Sequence, residues 1–449
     1  MSAIRWWRWP LVVLIFGISG LFVPGGTVGA QEGGFAIFGN LKYEDPETEE
    51  DVLVEGVTIT VTGTSGFNQS TQTDANGDFR VEVPANGAYN VELVAETLPD
   101  EVGLRNPDSN PLQTEVTDNR DRRVLFPLVF GDVVDEKESN FSFRRVSQLT
   151  VEGLKQGLYL ALAAIGLTLI FGTTGLVNFA HAELITFGGL ATYFWNFYGL
   201  AGIIGFLAPL PGPLGDGVSI WFAAVLGVLS GALLGYCLNR FIFRGARKAG
   251  VSLIAQLVMT IGLSILLRYV MLYFFGGGPR QFSGVTQTAV KIGPVELTPK
   301  DMIAMGISVI VLLGVASYLQ MTRMGKAMRA VSDNRELAES TGIDVERVIT
   351  WVWTSGAALA ALSGVFFGLD VVKWDFGFRI LLLVFAAVTL GGLGKAYGAI
   401  LGALIVGLAI NLSTLVIDAE VKNMVALLIL AVILLFRPQG ILGTRERIG

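Results

Sequence analysis

One cysteine and one histidine in 449 residues exclude several chemistries at the outset. Cys237, alone inside an apolar run, rules out an intrachain disulfide and any cysteine-built metal cluster. With His181 as the single histidine there is no His-Glu-x-x-His zinc site, and no Gly-x-Ser-x-Gly elbow occurs either. The phosphate-cradling Gly-x-x-x-x-Gly-Lys-Ser/Thr loop is also missing. Gly394-Lys395 is followed by Ala396, and Thr389 stands where the first glycine belongs. The chain is therefore expected to be no enzyme and to hold no cofactor, and any energy it uses is expected to come from another chain.

Charge is scarce too. Only 16% of residues are charged while 52% are hydrophobic and 56 are glycine, a membrane-like profile. The net charge of −6 hides an asymmetry: residues 31–148 carry 23 acids against 9 bases, and the rest 15 acids against 23 bases. Nucleic acid is an unsuitable partner for so acidic a first part, and the basic excess follows the apolar part.

Residues 1–31 read as a signal peptide or signal anchor. Arg5 and Arg8 precede the apolar Leu11–Val23, and Val28-Gly29-Ala30 offers a small-residue cleavage site, while Trp6, Trp7 and Trp9 suit an uncleaved anchor. Either delivers the next segment outside the cytoplasm. Over residues 34–130, Val57–Val61, Phe79–Val83 and Tyr89–Leu93 alternate as half-buried strands do, separated by turns at Asn76-Gly77, Asn86-Gly87 and Asn106-Pro107. An extracytoplasmic β-sandwich is expected there, with a linker at 131–148. Asp74, Asn76 and Asp78 have the alternation of a calcium loop but lack its glycine and glutamate positions, so a hairpin turn is the better reading.

From Leu149 to Arg437 apolar runs follow one another, each about long enough for ~30 Å of hydrocarbon. They cover 149–172, 183–208, 218–239, 251–275, 301–320, 348–372, 379–394, 397–417 and 421–436. The expected fold is thus an all-α polytopic membrane protein of about nine helices with the sandwich in front. An outside sandwich and nine crossings put the 438–449 tail inside the cell. The loops then inside hold 13 Lys and Arg against 6 outside, in keeping with the positive-inside rule.

The loop at 322–347 carries ten charges, and one Lys, Arg or Asp at a helix centre costs about 2.5–3.5 kcal/mol on insertion scales. It is too long for a tight turn, and Met324, Met328, Val331 and Leu337 give it an apolar side. It is expected to face the cytoplasm and to contact a partner. Gly227, Gly231 and Gly235 recur every four residues, as do Gly394, Gly398 and Gly402, and such rows let helix backbones approach closely. Gly391-Gly392-Leu393-Gly394 ends a short span, as in the broken helices that line transporter sites, or makes a plain turn. Asn178, His181 and Glu183 sit before or at the edge of a span. Glu183, Arg268 and Asp370 are either intramembrane functional charges or side chains reaching for the interface.

Several stretches together resemble a known family. Gly153–Gly172 with Asn178-Phe179-Ala180-His181, Arg323-Met324-Gly325-Lys326-Ala327, Gly342–Val348, Gly391-Gly392-Leu393-Gly394 and the tail Arg437–Gly443 are similar to permeases of the branched-chain amino acid ABC importers, of the LivH kind. The resemblance covers about 300 residues. It implies a second, LivM-like permease, two cytoplasmic ATP-binding subunits and an external solute-binding protein as partners, in the cell membrane. It further implies a coupling loop to the ATPase around Gly325, Glu336, Ala338, Gly342 and Asp344, and a pathway near Asn178, His181, Glu183, Gly391, Gly392 and Gly394. Gly56-Val57, Thr73–Phe79 and Gly87-Ala88-Tyr89 resemble the carboxypeptidase regulatory-like domain, which the usual permease lacks. The sequence also departs from the family at Ala182 and Lys395, which leaves urea or a short amide open as substrate. Two other classes stay in view: a membrane-anchored sensor, which needs an output domain on the inner side, and a membrane enzyme, which needs clustered ionisable residues within the spans.

Overall fold

The computed structural model describes residues 35–44, 51–63, 66–85, 87–99, 102–104, 110–116, 121–130, 142–199, 217–284, 289–418, 421–437 and 439–443. The signal expected at 1–31, most of the 131–148 linker and the end of the tail lie outside them. The chain divides into a strand unit and a helical unit.

In the strand unit the period-two pattern becomes buried and exposed faces. Phe79, Val81 and Val83 point inward from β6 (Asp78–Val83), and Asp78, Arg80 and Glu82 point out. β6 pairs antiparallel with β1 (Phe35–Asn40), whose other edge holds β10 (Arg122–Arg123) in parallel. A second sheet runs β5 (Asn68–Gln72), β4 (Thr58–Gly63), β7 (Gly87–Leu93), β9 (Leu112–Val116), and two short pairs join β2 (Lys42–Glu44) to β3 (Asp51–Leu53) and β8 (Val102–Leu104) to β11 (Leu128–Phe130). Ile37 and Val81 of the first sheet share one apolar core with Ile59 and Val91 of the second, which makes a sandwich. The turn before β6 uses Asp74 for itself: one carboxylate oxygen accepts from the Asn76 and Asp78 amides at 2.9 Å each. The Ala36 amide and the Arg80 guanidinium, both bonded to Asp121, hold its carboxyl below the usual carboxylate range.

The helical unit contains α1 (Phe143–Thr174), α2 (His181–Tyr198), α3 (Ile220–Lys248), α4 (Leu253–Phe275) and α5 (Pro299–Met321). After a polar connection come α8 (Val345–Phe367), α9 (Phe376–Gly391), α10 (Ala396–Leu412) and α11 (Asn423–Phe436). Among the described residues, six helices are long and apolar enough to cross a membrane: α1, α3, α4, α5, α8 and α10. α9 and α11 are apolar but shorter. Each expected run falls on one of these helices, though the limits move. α1 starts at Phe143 rather than 149 because Ser142 caps it, accepting from the Arg145 amide. α2 ends at Tyr198, where Gly199 turns with φ +50, and residues 200–208 of the run expected at 183–208 lie outside the described residues. α9 ends at Gly391 rather than 394.

α1 and α8 form the interior, and their mid-sections are buried on nearly every side. α4 and α5 leave most of their length exposed, with Ile254, Val258, Leu266, Ile310 and Leu313 open on their outer faces. Where lipid surrounds the helices, close backbone approach replaces hydrophobic burial as the packing force. The row Gly227, Gly231, Gly235 on α3 lies against Thr192 of α2 and Ala361 and Ala357 of α8, with no room for a β-carbon. Gly398 and Gly402 of α10 press on Gly391 and Ala387 of α9 in the same way. Gly394 belongs to the turn before α10 and not to that row.

Candidate functional site

α1 ends at Thr174, with Gly175 in the left-handed region (φ +68) donating its N–H to the Phe171 carbonyl at 2.7 Å. The chain then folds back into the bundle instead of leaving it. α2 begins at His181, whose Nε2–H donates to the Ala163 carbonyl at 2.9 Å. Ala163 lies eleven residues before the end of α1, about 16 Å along its axis, roughly half the ~30 Å of a bilayer's hydrocarbon. Residues 175–180 are thus a re-entrant segment, folded back along α1, that delivers the start of α2 well inside the length of that helix. Irregular backbone at such depth is tolerated where protein buries it or a cavity meets it. α9 starts close by, the Gly377 amide donating to Thr186 Oγ1 on the second turn of α2 at 3.2 Å.

The facing wall is α4, which carries Gln256, Thr260, Ser264 and Arg268 at intervals of four, one polar stripe on an otherwise apolar helix. Thr260 Oγ1 accepts from the Phe179 amide at 3.2 Å. Ser264 donates to Glu183 Oε1 at 3.0 Å. Arg268 reaches the same oxygen through Nε at 3.0 Å and Nη2 at 2.8 Å, and its guanidinium lies 4.0 Å over the Phe378 ring of α9. Glu183 is 0% exposed and Arg268 16%, so this is a buried ion pair whose second carboxylate oxygen remains free. Asn178 Nδ2, His181 Nδ1 and Asp375 Oδ1 are likewise buried without a protein partner. Arg268 therefore turns inward rather than reaching for the interface, whereas Asp370 stays largely exposed and pairs with Lys300.

The glycine turn stands apart from this cluster. Gly394 packs beside Gly172 of α1, nine residues or about 13 Å along the helix from Ala163. Gly392 has φ +108 and Gly394 φ +80, conformations that side chains resist. Over them lies the tail: the Ile441 amide donates to the Leu390 carbonyl at 2.8 Å and Leu442 to Gly391 at 3.1 Å. Residues 439–443 thus satisfy the carbonyls that α9 leaves open at its end.

The charged loop folds into two helices, α6 (Arg323–Asp333) and α7 (Arg335–Ser340). Thr322 caps the first by accepting from the Gly325 amide at 3.0 Å, and Gly325 sits against the Leu319 carbonyl, where a side chain would collide. Asn334 caps the second. Met328, Val331 and Ala338 are buried against the bundle, while Glu336 and Leu337 are exposed, Leu337 by 61%. Gly342 turns the chain with φ +85, and Asp344 caps α8 by accepting from the Arg347 amide at 3.0 Å.

One carboxylate ties this loop down. Glu346 pairs with Arg247 at 3.1 Å and with Arg244 and Arg335 at 3.5 Å each. Arg247, only 7% exposed, also donates to Asn239 in the π-turn Leu238–Phe243 of α3, and Asn239 donates to Thr350 of α8. Two bundle helices and α7 therefore meet at Glu346. Glu346→Gln is expected to cost about 1.5–3 kcal/mol locally, read by hydrogen exchange as a tenfold or greater loss of protection at 335–343; unchanged protection would contradict the tie.

The stripe on α4 could have been found from the sequence by counting polar residues every four positions within an apolar run. Glu346, Arg247 and Asn239 carry no such signal, since they meet only through tertiary structure.

Residues 149–435 match the family profile described as branched-chain amino acid transport system, permease component. The high-affinity branched-chain amino acid transport system permease protein LivH of Escherichia coli K12 is 29% identical over 310 residues, 67% of this chain and 96% of that protein. The permease BraD of Pseudomonas aeruginosa is 29% identical over the same shares. The probable permease LivH of Methanocaldococcus jannaschii is 28% identical over 63% of this chain and 88% of its own length. No solved structure matches the chain.

Proposed function

The chain belongs to the branched-chain amino acid transport system permease family, and from that premise we propose that it forms the translocation pathway for branched-chain or other hydrophobic amino acids in an ABC importer. The match across 149–435 carries this reading. A second, similar permease, two ATP-binding subunits and an external solute-binding protein complete the transporter, and ATP hydrolysis takes place in the ATP-binding subunits. The six long helices cross the membrane outright, and α2, α9 and α11 complete nine passes together with the segments that adjoin them. The loop with α6 and α7 and the tail face the cytoplasm, and the strand unit lies outside. The Lys and Arg distribution supports this orientation. The strand unit is of the carboxypeptidase regulatory-like kind, and its role is to hold or dock an extracytoplasmic partner.

Within this reading α7 is the coupling helix. Its exposed Glu336 and Leu337 offer a contact to the ATPase, its buried Ala338 seats it on the bundle, and Glu346 fixes its angle. Movement of the ATPases is passed through Glu346 to α3 and α8 and reaches the re-entrant segment, which packs on α1 and α4. Glu336→Arg, and Gly342→Val at its left-handed position, are each expected to lower transport-coupled ATP hydrolysis about tenfold or more in the reconstituted complex, the second through a strain of about 1–2 kcal/mol. Coupling unchanged in both variants would remove α7 from this role.

A further inference from the structure

Two carboxylates at the mouth of the re-entrant segment are each half used. Glu183 gives Oε1 to Arg268 and Ser264, and its Oε2 is buried without a partner. Asp375, at the start of α9, gives Oδ2 to Arg379 at 2.9 Å, and its Oδ1 is buried without a partner. Gly377, two residues after Asp375, donates to Thr186 and packs on the Ala182 carbonyl, which sets the start of α9 beside Glu183. Leaving a buried carboxylate oxygen unbonded is costly, and placing two such oxygens near one another adds repulsion. A group that donates several hydrogen bonds and carries positive charge removes both penalties at once. An ammonium, with three N–H donors and no acceptor, is such a group. A neutral amide such as urea donates hydrogen bonds but brings no charge to offset the second carboxylate.

Resting on the permease reading above, we propose that Glu183 Oε2 and Asp375 Oδ1 receive the α-ammonium of the transported amino acid. Glu183 thereby divides its oxygens between two tasks, Oε1 holding α2 to α4 and Oε2 receiving substrate. Its place between the discontinuous starts of α2 and α9 fits substrate sites made where helices are interrupted. Phe378, beneath the Arg268 guanidinium, supplies an apolar surface for the remainder of a hydrophobic amino acid.

Glu183→Gln isolates the second task, because the glutamine carbonyl still accepts from Arg268 and Ser264 while the other position becomes a donor. Asp375→Asn does the same from a separate element, so the test does not depend on one variant folding. The full complex, reconstituted in vesicles with its binding protein, is assayed for uptake of radiolabelled leucine, with thermal unfolding of each purified variant as the fold control. Uptake is expected to fall about tenfold or more in each variant, with unfolding temperature near that of the parent. If the parent takes up leucine and both variants match it, the ammonium site is overturned and the permease reading stands. If the parent takes up urea and no leucine, the amino-acid reading fails and this inference with it.

Discussion

Arg268→Ala is expected to destabilise the helical unit by about 3–5 kcal/mol, the usual cost of removing one partner from a buried ion pair. The substitution leaves Glu183, with no exposed surface, bonded by Ser264 alone. It also removes the guanidinium from the face of Phe378 and opens a gap between α4 and α9. Water reaches this depth poorly, so the carboxylate has no ready replacement for the lost charge. Thermal unfolding of the detergent-purified complex measures the effect. Pairing Arg268→Met with Glu183→Leu is expected to restore most of the lost stability, since apolar residues of similar volume often replace a buried pair at little cost. The double variant is expected to remain inactive in transport, because the carboxylate that receives substrate is gone. Recovery of both properties together would mean that the pair is only structural.

Gly364→Val is the second large effect expected. A β-carbon at Gly364 of α8 lands on the Ile185 carbonyl of α2, a backbone atom held inside a regular helix. Gly188 meets the Ala361 backbone in the same seam, so neither helix has slack to give. Overpacking of this kind costs about 1–3 kcal/mol and occasionally more, and two rigid backbones place Gly364 at the upper end. Parting α2 from α8 also displaces Glu183, so transport is expected to fall more steeply than the yield of folded protein. Gly364→Ala is expected to give a smaller loss of the same kind. Gly262→Ala serves as control: no atom lies within 4 Å of its β-carbon, and alanine favours the helix by about 1 kcal/mol. Equal losses at both sites would contradict a seam effect.

Local signals made much of the fold readable in advance. Apolar length located the helices, and the cap at Asp344 is also a local feature, a short acid before an apolar run that bonds a free amide at the helix start. The β-strands showed themselves by alternation. The re-entrant segment did not, because Gly175 and Asn178 read equally well as an ordinary connection between two crossings; only the bond from His181 to Ala163 reveals the depth. Arg268 and Glu183 are 85 residues apart and were each readable only as a charge within a span. The glycine turn was read as a possible pathway element from its composition. Its carbonyls are taken up by the tail, a contact between segments about fifty residues apart that no local pattern encodes.

That strap sets a schedule for synthesis. At about 5–20 residues per second, residues 439–443 emerge some 3–10 s after α9. During that interval the carbonyls of Leu390 and Gly391 are without their bonds from Ile441 and Leu442. Docking of α9 is therefore provisional while α10 and α11 are being made, and becomes final only when the strap arrives. A ribosome stalled within α11 would hold a chain that contains every glycine contact described above and still has an unfinished helix end, a state open to recognition by the proteases that survey membrane proteins.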